Sequence, residues 1–164
     1  LVQRGELDLA LDIYHRGLQS QHLGEPLKVY CSLWLLDLQT RAGQAQDPLA
    51  TGFLQSVQGG KWHADLARFA SGTLSDAELI RRADTPGKQA EASFYLAQAA
   101  LRRGNRAQAM ELWRKVVQSS MLGFFEYEMS NQYLRRGAPT QPLLSSKPQS
   151  PAAAPARRPT PASK

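Results

Sequence analysis

The chain has 164 residues, a single cysteine and a formal net charge of +6. That length suits one ordinary domain, and a hydrophobic content of 42% is typical of a globular protein. No apolar run approaches the ~18 residues of a membrane-spanning helix, and one cysteine excludes an internal disulfide framework and a multi-cysteine zinc site. Because the sequence begins at Leu1 without an apolar leader, we expect a fragment or a processed product whose targeting information lies upstream.

The basic charge is concentrated near the C-terminus. Residues 137–164 contain four basic residues and no acidic one, which leaves 16 basic and 14 acidic residues in 1–136. This nearly neutral first part does not indicate a nucleic-acid-binding face. Seven of the ten prolines also lie in 137–164, so we predict a helical domain over 1–136 and a disordered, Pro/Ala-rich basic tail over 137–164.

Residues 1–136 have the pattern of consecutive helices. Proline follows Glu25, Asp47 and Thr85, as it does near helix starts, and Ser75 with Glu78 forms a capping box. No strand-like alternation is present. We therefore predict helices at about 6–20, 26–41, 47–57, 61–71, 75–83, 86–103, 106–119 and 124–136.

Glycines recur at a nearly constant spacing along these helices. Gly5, Gly43, Gly72 and Gly104 are 38, 29 and 32 residues apart, and each lies between two helix-like stretches. A unit of ~34 residues that folds as helix–turn–helix is typical of tetratricopeptide repeats. The fold prediction is therefore all-α: a tetratricopeptide-like α-solenoid with a truncated first repeat, a C-terminal capping helix and a disordered tail.

Motifs of catalysis and cofactor binding are not found. His15, His22 and His63 lack metal-ligand spacing, and Cys31 lies in an apolar helix as a small buried hydrophobe would. The sequence contains no Gly-x-Ser-x-Gly elbow, Walker loop or dinucleotide fingerprint. We therefore predict no enzyme activity, no cofactor and no metal.

The repeat pattern does predict a binding surface. In tetratricopeptide stacks the first helix of each pair lines the concave face, and alignment on the turn glycines identifies the residues that face inward. Such a surface suits an extended peptide, with Phe94 for apolar contact, Gln98 for backbone hydrogen bonds and Arg102 for a carboxylate. The alternative is an ordinary solvated helix face. The predicted groove residues are Tyr30, Leu33, Asp37, Arg41, Glu91, Phe94, Gln98, Leu101 and Arg102.

Three stretches carry a more specific resemblance, which covers about residues 30–130. They are Ser32-Leu33-Trp34-Leu35; Trp62 with Phe69, Gly72, Ser75 and Leu79; and Phe94-Tyr95-Leu96 with Leu101, Gly104, Ala109, Val116, Phe124 and Glu126. Together they resemble the C-terminal half of the new lipoprotein I (NlpI) family, tetratricopeptide lipoproteins of Gram-negative bacteria. The resemblance implies an outer-membrane lipoprotein that faces the periplasm, is usually dimeric, and presents cell-wall hydrolases to a tail-specific protease.

The function expected from this resemblance is that of a non-enzymatic protein-binding adaptor. It would bind proteins or peptides and no nucleic acid, and would reach the membrane only through an upstream lipid anchor. Two alternatives remain open at this point: a cytosolic tetratricopeptide co-chaperone or assembly factor, and a helical regulatory domain of a larger enzyme.

Overall fold

The computed structural model describes residues 6–136, without the side chains of Arg41 and Arg136. All regular structure in this range is α-helical, which confirms the predicted all-α class. The predicted turn at Gly5, the tail at 137–164 and the Arg41 side chain lie outside the described residues. The helices are α1 (Leu7–Gln19), α2 (Glu25–Arg41), α3 (Pro48–Ser56), α4 (Trp62–Ala70), α5 (Asp76–Arg82), α6 (Pro86–Arg102), α7 (Arg106–Gln118) and α8 (Phe125–Arg136).

The helix starts follow from local side-chain chemistry. The Asp47 side chain accepts hydrogen bonds from the first amides of α3, and Thr85 accepts one from the amide of Lys88 at the start of α6. Ser75 and Glu78 form the predicted capping box, in which each side chain accepts from the other residue's backbone amide. Each predicted helix boundary is confirmed to within one residue, which is within the uncertainty of helix assignment.

Glycine in a left-handed conformation separates helices at three of the predicted turns. Gly43, Gly72 and Gly104 have φ angles of 65°, 78° and 79°. Glycine reaches this region without the steric penalty that a Cβ imposes, and it allows the chain to leave one helix and begin the next. The three turns therefore confirm the positions predicted from glycine spacing.

Each helix packs against the next one along the chain, and α2 also contacts α4 while α6 contacts α8. The α6–α7 hairpin is closely packed because Ala97, Ala100 and Ala109 are buried between the two helices. Trp113 of α7 is completely buried, and its ring lies 4.8 Å from the ring of Tyr133 on α8. Helix α8 thus covers the last hairpin.

Aromatic side chains join the elements that are distant in sequence. The Trp34 ring of α2 lies 5.5 Å from Phe94 of α6 and 4.6 Å from Phe125 of α8, measured between centroids. Five aromatic residues besides Tyr133 are buried in the core, while Trp62 is half-buried at its edge; the five are Trp34, Phe69, Phe94, Tyr95 and Trp113. Trp34 therefore lies where α2, α6 and α8 converge, and it contributes to the lining of two hollows in the surface.

Candidate functional site

The residues predicted to line a groove on α2 and α6 contact one another in the folded chain. The Tyr30 hydroxyl donates to Glu91 Oε2 at 2.8 Å, and Arg102 Nη1 lies 3.8 Å from Asp37 Oδ1. Trp62, at the start of α4, donates its Nε1 proton to the same Glu91 oxygen at 2.8 Å. These contacts bridge α2 and α6, and the face between the two helices carries two hollows that both include Trp34 in their lining.

The first hollow is a cavity of about 250 Å³ among α2, α3, α4 and α6, which we call the Gln98 cavity. One side is aromatic and aliphatic, and the other is polar. Its apolar lining includes Leu33, Trp34, Leu54, Phe69 and Phe94, and its polar lining includes Asp37, Thr40, Gln46, Gln55, Gln98 and Arg102.

Gln98 is the unusual member of this lining. Its side chain is 3% exposed, yet Nε2 has no hydrogen-bond partner among the described residues. A buried donor without an acceptor costs about 1–3 kcal/mol of desolvation free energy. A carbonyl or carboxylate oxygen in the cavity would supply the missing acceptor.

Phe94 and Arg102 lie on either side of Gln98 along α6 and have opposite surroundings. Phe94 is 1% exposed and forms part of the cavity wall, so it is not displayed on an open surface. The Arg102 side chain is 40% exposed, and Asp37 beside it is buried. The ion pair therefore lies at the mouth of the cavity, and Phe94 lies in its buried wall.

The second hollow is an open cleft of about 450 Å³ at the other side of Trp34, which we call the Glu126 cleft. Its surface is largely aromatic, with two carboxylates and one thiol. The lining residues are Tyr14, Leu27, Tyr30, Cys31, Trp34, Glu91, Phe124, Phe125 and Glu126.

The electrostatics of this cleft are dominated by burial and by acidic neighbours. Burial, together with the charge of Glu91, raises the pKa of Glu126 to about 7, against the opposing effects of its backbone amide and the Tyr95 hydroxyl. Burial and Glu91 also raise the pKa of Tyr30. Burial raises the pKa of Cys31, so this thiol is held in its protonated, poorly nucleophilic form.

Each predicted groove residue can be placed from these observations. Five of them line the Gln98 cavity, and two line the Glu126 cleft. The first set is Leu33, Asp37, Phe94, Gln98 and Arg102, and the second is Tyr30 and Glu91. Leu101 is partly buried against the core and lines neither hollow. The groove prediction thus identified members of both hollows but not the boundary between them.

Sequence reasoning did not assign Glu126 or Cys31 to a site. Glu126 is 7% exposed although it lies in the first turn of α8, beside Phe124 and Phe125. The sequence signal that could have identified Glu126 is its position directly after two aromatic residues at a helix start. Cys31 follows Tyr30 in α2, and its sulfur lies close to Gly17 of α1.

Two of the three histidines pair with carboxylates that are distant in sequence. His15 Nδ1 lies 2.7 Å from Asp47 Oδ2, and His63 Nε2 lies 2.8 Å from Glu25 Oε1. Both pairs join different helices. Over residues 6–136, no group of three or more His, Cys, Asp or Glu side chains is arranged to hold a metal ion. In the same range, no helix has the length and apolar character to cross a bilayer.

Comparisons with known proteins give no relative for this chain: no protein-family profile, curated protein or solved structure matches it.

Proposed function

We propose that this chain is a non-enzymatic adaptor that binds a partner protein through the Gln98 cavity. Its hairpins would be tetratricopeptide-like repeats stacked as a solenoid, and its action would be to hold two partners close together. The observation that supports this proposal most directly is Gln98 Nε2, a buried donor without a partner among residues 6–136, on a residue that lines a cavity beside Arg102.

The chemistry of the cavity suits the C-terminal residue of a peptide. A cavity of about 250 Å³ can hold one apolar side chain against Trp34 and Phe94. Gln98 Nε2 would donate to a backbone carbonyl, and the Arg102 guanidinium would pair with the terminal carboxylate. The half-exposed position of Arg102 allows it to meet a ligand that enters from solvent.

The wider proposal rests on the resemblance to the new lipoprotein I family. In that setting the adaptor would face the periplasm, attached to the outer membrane through an upstream lipid anchor. Its partners would be a tail-specific protease and peptidoglycan hydrolases, and it would form a homodimer. No cofactor or nucleic acid takes part in this proposal.

The experiment uses the full chain and fluorescein-labelled hexapeptides that end in leucine, each with a free or an amidated C-terminus. Fluorescence polarisation should detect the free-acid peptide, and Arg102→Gln should weaken its binding about thirtyfold, as loss of a hot-spot side chain does. Arg114→Gln is the matched control, because Arg114 is exposed on α7 and lines neither hollow. Equal affinity of the parent chain for acid and amide peptides, unaffected by Arg102→Gln, would remove the basis of the proposal.

A further inference from the structure

The Glu126 cleft presents two carboxylates on an aromatic surface without a cation to balance them. Among the described residues, neither Glu91 nor Glu126 forms an ion pair. The nearby Lys88 instead pairs with Asp84 at 2.6 Å, while its ammonium lies 5.8 Å from the centre of the Trp62 ring. Within residues 6–136, Glu91 accepts hydrogen bonds from two neutral donors, the Tyr30 hydroxyl and the Trp62 indole.

A cleft of this composition favours an organic cation. Carboxylates removed from water are stabilised by a paired charge, and aromatic faces attract cations through their quadrupole. A guanidinium satisfies both demands, because it stacks on rings and donates two parallel hydrogen bonds to a carboxylate. The rim adds apolar surface, since Leu27 and Phe125 are both exposed there.

We propose that the Glu126 cleft binds an arginine side chain from this chain's own basic segment, Arg157 or Arg158. The segment complements the cleft in charge and in composition. Pro155 and Pro159 flank the two arginines, and proline-rich peptides dock on aromatic-lined grooves of this kind. This proposal does not depend on the adaptor function, because the Gln98 cavity lies on the other side of Trp34.

The chain can span the distance that this contact requires. Glu126 lies ten residues before Arg136 on α8, so the helix end is about 15 Å from the cleft. Twenty residues lie between Arg136 and Arg157. Twenty residues can extend to at most about 70 Å, which exceeds the distance to the cleft several times over, and a covalent tether raises the effective concentration of the ligand.

A bound guanidinium would change the titration of Glu126. The titratable groups that act on Glu126 or line the cleft with it are Glu91 and Tyr95 on α6, Tyr30 and Cys31 on α2, and Tyr14 on α1. With the cleft empty, burial holds the pKa of Glu126 at about 7. An adjacent cation favours the ionised carboxylate and lowers this pKa by about 1–3 pH units.

The test compares the full chain with two double variants by NMR spectroscopy. Arg157→Gln/Arg158→Gln removes the proposed ligand, and Lys147→Gln/Lys164→Gln removes the same charge elsewhere in the basic segment. All four positions lie outside helices α1–α8, so the helical domain is unaltered. The signals to follow are the indole Nε1–H resonances and the carboxyl resonance of Glu126, assigned with Glu126→Gln.

The arginine variant should shift the indole resonances of Trp34 and Trp62 and leave that of Trp113 unchanged, because Trp113 lines neither hollow. The midpoint of Glu126 should rise to about 7 in this variant and stay at least one pH unit lower in the parent and the lysine variant. A synthetic peptide of residues 151–162 should restore the parent values when added to the arginine variant. The same spectra and midpoints in all three chains, or equal changes in both variants, would overturn the proposal.

Discussion

The α6–α7 hairpin and the face between α2 and α6 share one helix but differ in how their interiors are filled. In the hairpin, three buried alanines allow close approach, and the completely buried Trp113 fills the space that remains. On the α2–α6 face, large aromatic side chains leave two hollows, and buried polar groups stand at their walls. Helix α6 therefore serves stability on one side and carries the candidate sites on the other.

The two regions also differ in the surroundings of a buried hydrogen-bond donor, Trp113 Nε1 in the hairpin and Gln98 Nε2 on the α2–α6 face. Trp113 Nε1 also has no hydrogen-bond partner among residues 6–136, but its ring is enclosed by Tyr133 and lines neither hollow. Gln98 Nε2 is also buried without a partner among the described residues, but Gln98 belongs to the lining of the Gln98 cavity. A buried donor without a partner calls for an explanation, and for Gln98 the neighbouring cavity offers one that Trp113 lacks.

The largest expected effect is on the hairpin side. Trp113→Ala should lower the free energy of unfolding by about 3–5 kcal/mol, because it leaves a large cavity between α6, α7 and α8. Denaturant-induced unfolding followed by circular dichroism measures this. Trp62→Ala is the comparison on the other side, and the loss should be smaller because Trp62 is only half-buried. Equal losses would erase the distinction between the two regions.

Glu126 should make the free energy of unfolding depend on pH by up to about 3 kcal/mol when the cleft is empty, as in Arg157→Gln/Arg158→Gln. The folded-state pKa of about 7 exceeds the ordinary value of 4.5, so the folded chain binds more protons between these values. Stability should therefore be greatest below pH 4.5 on this account and fall as pH rises toward 7. Thermal or denaturant unfolding across that range measures the slope, which Glu126→Gln should reduce. An unchanged slope after Glu126→Gln would show that other groups cause it.

A smaller effect is expected at the turn that joins α6 to α7. Gly104→Ala should cost about 1–2 kcal/mol, because Gly104 has a φ of 79° and a Cβ there strains the backbone. Gly123→Ala is the matched control in the next loop, where no positive φ is imposed and the space around the Cβ is open. Chemical denaturation should separate the two variants, and similar stabilities would argue against a backbone origin.

The smallest stability effect is expected at Gln98. Gln98→Met keeps the shape of the side chain and removes the unpaired donor, so the free energy of unfolding should stay the same or rise by up to about 1 kcal/mol. Gln118→Met, at an exposed position on α7, controls for the general effect of the substitution. Unfolding curves in denaturant give both values. A loss of more than about 2 kcal/mol would show instead that Gln98 stabilises the fold, as the buried residues of the hairpin do.

Local features of this fold could be predicted from the sequence, and long-range ones could not. The capping box at Ser75 and the turn at Gly104 depend on neighbouring residues, so their patterns were sufficient. The contact between Tyr30 and Glu91 joins residues 61 positions apart, and its formation depends on how successive hairpins pack. Periodicity predicted that Phe94 faces inward, whereas its burial depends on packing against Trp34 of α2, 60 positions earlier in the chain.

The central claim is that the Gln98 cavity receives a ligand, and the side-chain amide resonance of Gln98 tests it most directly. In a ¹⁵N-labelled full chain titrated with the leucine-ended free-acid hexapeptide, the Gln98 Nε2 protons should move downfield as they gain an acceptor. The indole resonance of Trp113 should stay in place, because the hairpin interior has no room for a ligand. Saturating peptide that leaves the Gln98 amide unchanged, or that moves both resonances alike, would contradict the account.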